Sequence, residues 1–77
     1  MTEVHFAGID RFNRPVFTDR YLNYYGSTGI LFGCNATEEY VLAQVKEKDL
    51  CYFGRHFGCE PEGDPVTNIT ITPNKKG

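Results

Sequence analysis

The stretch that decides the fold is residues 35–48, which read NATEEYVLAQVKEK. Three apolar residues recur there at the spacing of one helical face: Val41, Leu42 and Val45. This spacing predicts an amphipathic helix over about 37–48. Asn35 with Glu38 fits a capping box, and Thr37 is a second possible N-cap. Because the apolar stripe is narrow, we expect the helix to cover one face of a sheet.

Upstream of the helix, the sequence is rich in residues that favour strands. Residues 3–18 read as a hairpin, in which Val4, Phe6 and Phe12 share one parity and predict a buried face. Residues 21–25 continue as β-structure, closed by Gly26. The segment 27–33 fits either a single helical turn or a short buried strand.

Downstream of the helix, two further segments are typical of strands. Residues 50–57 form the first, and residues 66–72 form an edge strand in which Ile69 and Ile71 face inwards. A loop over residues 58–64 separates them. Strands on both sides of one helix indicate an α+β fold. We expect an antiparallel sheet of four to five strands with one α-helix, about 37–48, packed on one face.

Length and composition bound the organisation of the chain. It has 77 residues and a mass of 8.8 kDa, which predicts a single domain over 1–77 with a frayed polar tail at 73–77. The net charge of −2 argues against a polybasic nucleic-acid binder. No apolar run is long enough to cross a membrane, so no membrane association is expected.

The three cysteines, Cys34, Cys51 and Cys59, predict free thiols rather than disulfides. An odd number of cysteines and no signal-like start fit a cytoplasmic protein. With His56 they lack the Cys-x2-Cys spacing of zinc sites, and no catalytic signature surrounds them. Neither an enzyme, a metal nor a cofactor is therefore expected.

The remaining hypothesis is a protein-interaction module. Tyrosine and arginine are enriched at binding hot spots, and residues 60–64 concentrate three carboxylates in one loop. A small inhibitor or modulator, of the kind carried by phages and mobile elements, fits these properties by analogy. The predicted contact residues are Arg20, Tyr24, Tyr25, Arg55, Glu60, Glu62 and Asp64.

The alternative is single-stranded nucleic-acid binding through sheet aromatics together with Arg11, Arg14 and Arg20. Asp10 and Asp19 stand beside two of these arginines and are expected to compensate much of their charge. A homodimer paired through the edge strand 66–72 is compatible with either hypothesis.

Overall fold

The computed structural model describes residues 2–55 and 62–74, and for residues 62–65 it describes the backbone alone. The helix α1 spans Glu38–Gln44 and is followed by a short 3-10 turn at Glu47–Asp49. The strands follow in chain order: β1 Thr2–Ile9, β2 Pro15–Thr18, β3 Tyr24–Gly26, β4 Cys51–Gly54, β5 Glu62–Pro65 and β6 Ile69–Ile71.

These strands form one mixed sheet in the order β5-β4-β3-β2-β1-β6. Each neighbouring pair from β5 to β1 is antiparallel, whereas β6 runs parallel to β1 with Thr2 opposite Ile69. The α+β prediction is therefore confirmed. The expectation of a purely antiparallel sheet is corrected at β6, because that strand pairs with the first strand of the chain rather than with its sequence neighbour β5.

The sheet is strongly curled. Strands β5 and β6 lie at opposite edges, but only residues 66–68 connect them. A link of this length reaches no more than about 14 Å. Six flat strands would place the outer two about 24 Å apart. The two edges must therefore bend towards each other, and the concave side holds the core.

The main core lies between the concave face and α1. Its buried members come from the sheet, the helix and the connecting segments: Val4, Phe17, Tyr25, Phe32, Val41, Val45, Leu50 and Ile69. The prediction that the helix packs on one face is confirmed by the burial of Val41 and Val45. Of the predicted hairpin face, Val4 is buried, but Phe12 is 50% exposed because it lies in the turn between β1 and β2.

The helix is shorter than the predicted 37–48. Thr37 is the N-cap, and its hydroxyl accepts a hydrogen bond from the Tyr40 amide at 3.2 Å. The helix ends at Gln44 because Val45 adopts an extended conformation. The Asp49 carboxylate then accepts the Lys46 amide at 3.0 Å, which starts the separate 3-10 turn.

Two further segments differ from their predicted structure. Residues 27–33 form neither a helical turn nor a strand, and the Phe32 amide donates to the Asn13 carbonyl at 2.8 Å instead. Residues 62–64 of the predicted loop 58–64 lie on β5, while residues 58–61 lie outside the described residues. In both places long-range backbone pairing, which local sequence does not encode, decides the conformation.

The end of the described chain is held against the fold. The Asn74 amide donates to a Glu38 carboxylate oxygen at 2.7 Å, and its side chain donates to the Phe6 carbonyl at 3.0 Å. These bonds place the first part of the predicted tail 73–77, and residues 75–77 lie outside the described residues.

The edge strand β6 is covered by a side chain. A Glu47 carboxylate oxygen accepts the Ile71 amide at 3.0 Å. This amide would be needed for pairing with a further strand. The proposed route to a homodimer through residues 66–72 is therefore obstructed at Ile71.

Replacing Glu47 with alanine is expected to lower the free energy of unfolding by about 1 kcal/mol, because a charge-assisted hydrogen bond is lost at a partly exposed edge. The hydrogen bond from Ile71 is the main reason that the pKa of Glu47 is lowered. A carboxyl with a lowered folded pKa stabilises above its unfolded pKa and loses this effect as the pH falls through the folded value. Urea unfolding should therefore give a lower free energy of unfolding for the variant than for wild type at pH 7, and equal values for the two proteins in strong acid. Equal stability at pH 7 would contradict the role, and Glu39→Ala serves as the exposed control.

Candidate functional site: two Asp-Arg-aromatic turns

The predicted contact residues differ in burial, and the structure describes the side chains of only four of the seven, Arg20, Tyr24, Tyr25 and Arg55. Arg20 and Arg55 are exposed, and Tyr24 is half-buried on β3. Tyr25 is only 8% exposed and belongs to the core, so it is withdrawn as a contact residue. Of the acidic residues, Glu62 and Asp64 lie on β5 with undescribed side chains, and Glu60 lies outside the described residues.

The turn between β2 and β3 is organised by the carboxylate of Asp19. One oxygen of this buried side chain accepts the amides of Tyr21 at 2.8 Å and Asn23 at 3.0 Å. The other accepts the Asn23 side-chain amide at 3.1 Å and the Tyr25 hydroxyl at 2.9 Å. We call residues 19–23 the Asp19 turn. The Asp19 carboxylate thus binds two backbone amides of the turn from inside, and the Thr18 hydroxyl donates to the Asn23 carbonyl at 3.1 Å.

The protonation states of Asp19 and Tyr25 follow from the same contacts. Burial alone would raise the pKa of Asp19, but the hydrogen bonds from Asn23, Tyr21 and Tyr25 together outweigh it and lower the pKa. Burial first, and then the hydrogen bond to Asp19, raises the pKa of Tyr25 to about 12. The carboxylate is therefore an acceptor and the phenol a donor across the physiological pH range.

The turn between β1 and β2 repeats this geometry nine positions earlier. One oxygen of Asp10 accepts the amides of Phe12 and Arg14, each at 2.9 Å, and the other accepts Arg14 Nε at 2.7 Å. The Asp10 amide donates to the Arg14 carbonyl at 3.0 Å, as the Asp19 amide does to the Asn23 carbonyl at 3.1 Å. We call residues 10–14 the Asp10 turn.

Both turns hold their fourth residue in the left-handed region. Asn13 has φ 65° and Leu22 has φ 64°. Asparagine tolerates this conformation, whereas for a leucine it is strained. The Leu22 side chain is nevertheless 63% exposed, so it gains little burial in return. Strain of this kind, kept where no core contact requires it, is a pointer to function.

Replacing Leu22 with asparagine, the residue at the equivalent position of the Asp10 turn, is expected to raise the free energy of unfolding by about 0.5–1 kcal/mol. The gain comes from relief of the left-handed strain, since little apolar contact is lost. Urea unfolding measures it, and Asn13→Leu is the matched reverse change with the opposite expected sign. A less stable Leu22→Asn variant would show that Leu22 is there for packing.

Each turn displays an arginine against an aromatic ring. The guanidinium of Arg20 lies 5.6 Å from the centre of the Tyr21 ring, and that of Arg11 lies 5.5 Å from the centre of the Phe12 ring. Tyr21 is 63% exposed and Phe12 is 50% exposed. Neither aspartate forms an ion pair with the arginine beside it in sequence, because both carboxylates point inwards to their own turns; Asp10 pairs with Arg14 instead.

Arg14 has a different role from the other two arginines. It is only 7% exposed, forms an ion pair with Asp10 and lies 4.6 Å from the Phe53 ring centre and 4.9 Å from that of Phe12. The guanidinium thus covers buried Phe53 on the convex side of the sheet. Arg14 is therefore removed from the predicted nucleic-acid set, whereas Arg11 and Arg20 stay at the surface.

A polar cleft adjoins the Asp19 turn. It has a volume of about 400 Å³ and is lined by Thr2, Glu3, His5, Arg20 and Tyr21. His5 Nδ1 lies 3.0 Å from the Thr72 carbonyl. Because a carbonyl only accepts, Nδ1 carries the proton. Glu3 and Arg20 place one carboxylate and one guanidinium along this cleft, so their two formal charges balance.

The thiols do not share a site in the described part of the chain. Cys34 is exposed, Cys51 is half-buried, and Cys59 and His56 lie outside it. Burial raises the pKa of the Cys51 thiol, although the charge of Arg14 opposes this. Among the residues described, no group of three or more His, Cys, Asp or Glu side chains is placed to hold a metal ion.

No protein-family model, curated protein or solved structure significantly matches this chain. Within residues 2–55 and 62–74, no helix combines the length and apolar character needed to cross a membrane. The fold and the two turns define a small α+β protein that displays paired arginine and aromatic side chains on fixed loops.

Proposed function

We propose that this protein is a non-catalytic interaction module that binds another protein through the Asp19 turn. The observation that carries the proposal is a turn fixed from inside by Asp19 that holds Tyr21 and Leu22, each 63% exposed, out into solvent beside Arg20. Exposed aromatic and arginine side chains on a preorganised loop lose little conformational entropy on binding. An inhibitor or modulator acting by occlusion, as in small phage proteins, is the class of activity that this arrangement suits.

The predicted acidic region remains a second contact in this proposal. Arg55 and the carboxylates of Glu60, Glu62 and Asp64 would meet a basic part of the same partner, and charge complementarity would steer the encounter. Tyr24 on β3 is kept as a contact beside the Asp19 turn. A cytoplasmic partner is proposed because an odd number of cysteines fits free thiols in a reducing compartment.

A tagged pull-down from lysate of the source cell, with nuclease, tests the proposal when three proteins are compared. These are wild type, Arg20→Ala/Tyr21→Ala, and a control Tyr40→Ala/Lys48→Ala that removes an exposed tyrosine and a cation from the helical side. We expect one stoichiometric protein partner, with affinity at least tenfold lower for the turn variant and unchanged for the control.

Two outcomes would overturn this proposal. Equal capture by wild type and the turn variant would remove the Asp19 turn from the contact. Recovery of nucleic acid, with loss of partners after nuclease and steep weakening by salt, would favour the stacking alternative. The variant Glu60→Lys/Glu62→Lys tests the acidic region separately, and unchanged capture would remove that region alone.

A further inference from the structure

We propose that the Asp10 turn is a second binding tip, so that one molecule of this protein holds two acidic segments of partner protein at once. This inference rests on the proposed function of the Asp19 turn and extends it from one contact surface to two.

The first support is the matched internal geometry of the two turns. In each, one aspartate oxygen accepts the amides two and four residues later, and the other accepts a hydrogen bond from the side chain of the fifth residue, Arg14 or Asn23. In each, an arginine lies about 5.5 Å from the centre of the following aromatic ring, at 5.5 and 5.6 Å. Two turns that each present an arginine beside an aromatic ring in the same way should recognise the same chemistry.

The chemistry that the two turns recognise follows from the absence of an ion pair at Arg11 and Arg20 among the described residues. Among the described residues, the ion pair is between Asp10 and Arg14, and neither Arg11 nor Arg20 forms one. A ring against one face of a guanidinium leaves its N–H edge free to bind a carboxylate in the plane. The aromatic ring beside it offers an apolar contact for a neighbouring side chain of the partner.

A partner segment with carboxylates is favoured over a nucleic-acid strand. The Glu3 carboxylate lines the same cleft as Arg20 and Tyr21, and the whole chain carries a net charge of −2. A continuous phosphodiester backbone would meet these negative charges along its length. A short acidic and apolar segment needs only one arginine and one ring.

The two tips are too far apart to serve one short segment. Antiparallel strands place the Asp10 turn before β2 and the Asp19 turn after it, at opposite ends of a strand of four residues. The bases of the turns are therefore about 13 Å apart and the tips point away from each other. Each tip must bind its own segment, and a partner with two such segments gains from avidity.

The tips differ at the fourth residue of the turn, and this difference predicts their order of affinity. The fourth residue of the Asp19 turn is the exposed Leu22, whereas the Asp10 turn has Asn13 there. The Asp19 turn offers the larger apolar surface and should bind an acidic and apolar segment more tightly.

The test is a titration of the ¹⁵N-labelled full chain with a blocked tripeptide of glutamate, leucine and glutamate, followed by NMR. We expect saturable shifts of the amides and arginine Nε–H groups in both turns, with the Asp19 turn saturating first. Arg11→Ala/Phe12→Ala should abolish shifts at residues 10–14 only, and Arg20→Ala/Tyr21→Ala those at 19–23 only. A glutamine, leucine and glutamine tripeptide is the uncharged control.

The outcomes separate this inference from the function on which it rests. Shifts confined to residues 19–23 would overturn bivalency and leave the Asp19 turn as the single binding tip. The absence of shifts in both turns would overturn both. Equal shifts with the glutamine peptide would overturn recognition of carboxylates, and stronger binding of oligothymidylate than of the acidic peptide would replace the protein partner by a nucleic acid.

Discussion

Asp10→Ala is expected to lower the free energy of unfolding by about 3–5 kcal/mol, the largest effect of any single change considered for this protein. The substitution removes the carboxylate that pairs with Arg14 Nε at 2.7 Å and accepts two backbone amides of the turn. Arg14 is 7% exposed, so water cannot readily replace the lost acceptor. For a chain of this length the total stability is about 4–12 kcal/mol, so this loss is a large share of it.

Two further variants separate the parts of this effect. Asp10→Asn keeps an oxygen for the Phe12 and Arg14 amides but loses the charge, so we expect an intermediate loss. In the double variant Asp10→Asn/Arg14→Met the buried charge is absent, and stability should recover partly. Urea unfolding measures all three. A loss below about 1 kcal/mol for Asp10→Ala would show that the ion pair contributes little.

Gly26→Ala is the second change with a large expected effect, a loss of about 2–3 kcal/mol. A Cβ atom at this position would lie 2.6 Å from Phe53 Cε2 and 2.6 Å from the Pro15 carbonyl oxygen. The ring belongs to a fully buried side chain, and the oxygen is backbone of the paired strand β2. The Pro15 oxygen cannot move aside without a shift of β2 against β3, and the Phe53 ring on β4 is enclosed by the surrounding residues.

The matched control for this change is Gly29→Ala, where no atom lies within 4 Å of the added Cβ. It should alter the stability by no more than about 0.5 kcal/mol. The combination Gly26→Ala/Phe53→Leu relieves only the contact with the ring, so recovery should be incomplete because the Pro15 oxygen remains. Equal thermal unfolding of Gly26→Ala and Gly29→Ala would contradict the close approach.

Gly26→Ala also tests whether the register of β2 against β3 positions the proposed binding tips. Both turns are anchored on β2, so a shift of β2 against β3 should displace the Asp19 turn more than the Asp10 turn. We therefore expect NMR shifts around residues 19–23 in a folded Gly26→Ala protein. Unchanged amide positions there would indicate that Asp19 fixes its turn independently of the sheet register.

The proposed contact residues are only partly predictable from the sequence. Arg20 was singled out from its residue type and is exposed, while Tyr25 was chosen for the same reason and is buried. Alternation along a strand of three residues is too short to assign faces, so the two neighbouring tyrosines of β3 could not be told apart. The sequence does carry one signal of the two turns: an aspartate, an arginine and an aromatic residue recur nine positions apart at 10–12 and 19–21.

Local sequence determined the α+β class, the hairpin of β1 and β2 and the inward face of the edge strand, because periodicity acts over a few residues. For the N-cap it left Asn35 and Thr37 as alternatives, and the structure selects Thr37. Only the tertiary structure decided that β6 pairs in parallel with β1, that the sheet curls, and that Glu47 covers its edge. It also decided that Asp10 binds Arg14 and leaves Arg11 at the surface. These features depend on which distant backbone and charged groups meet, and the free energy of such contacts is set by burial that no local pattern records.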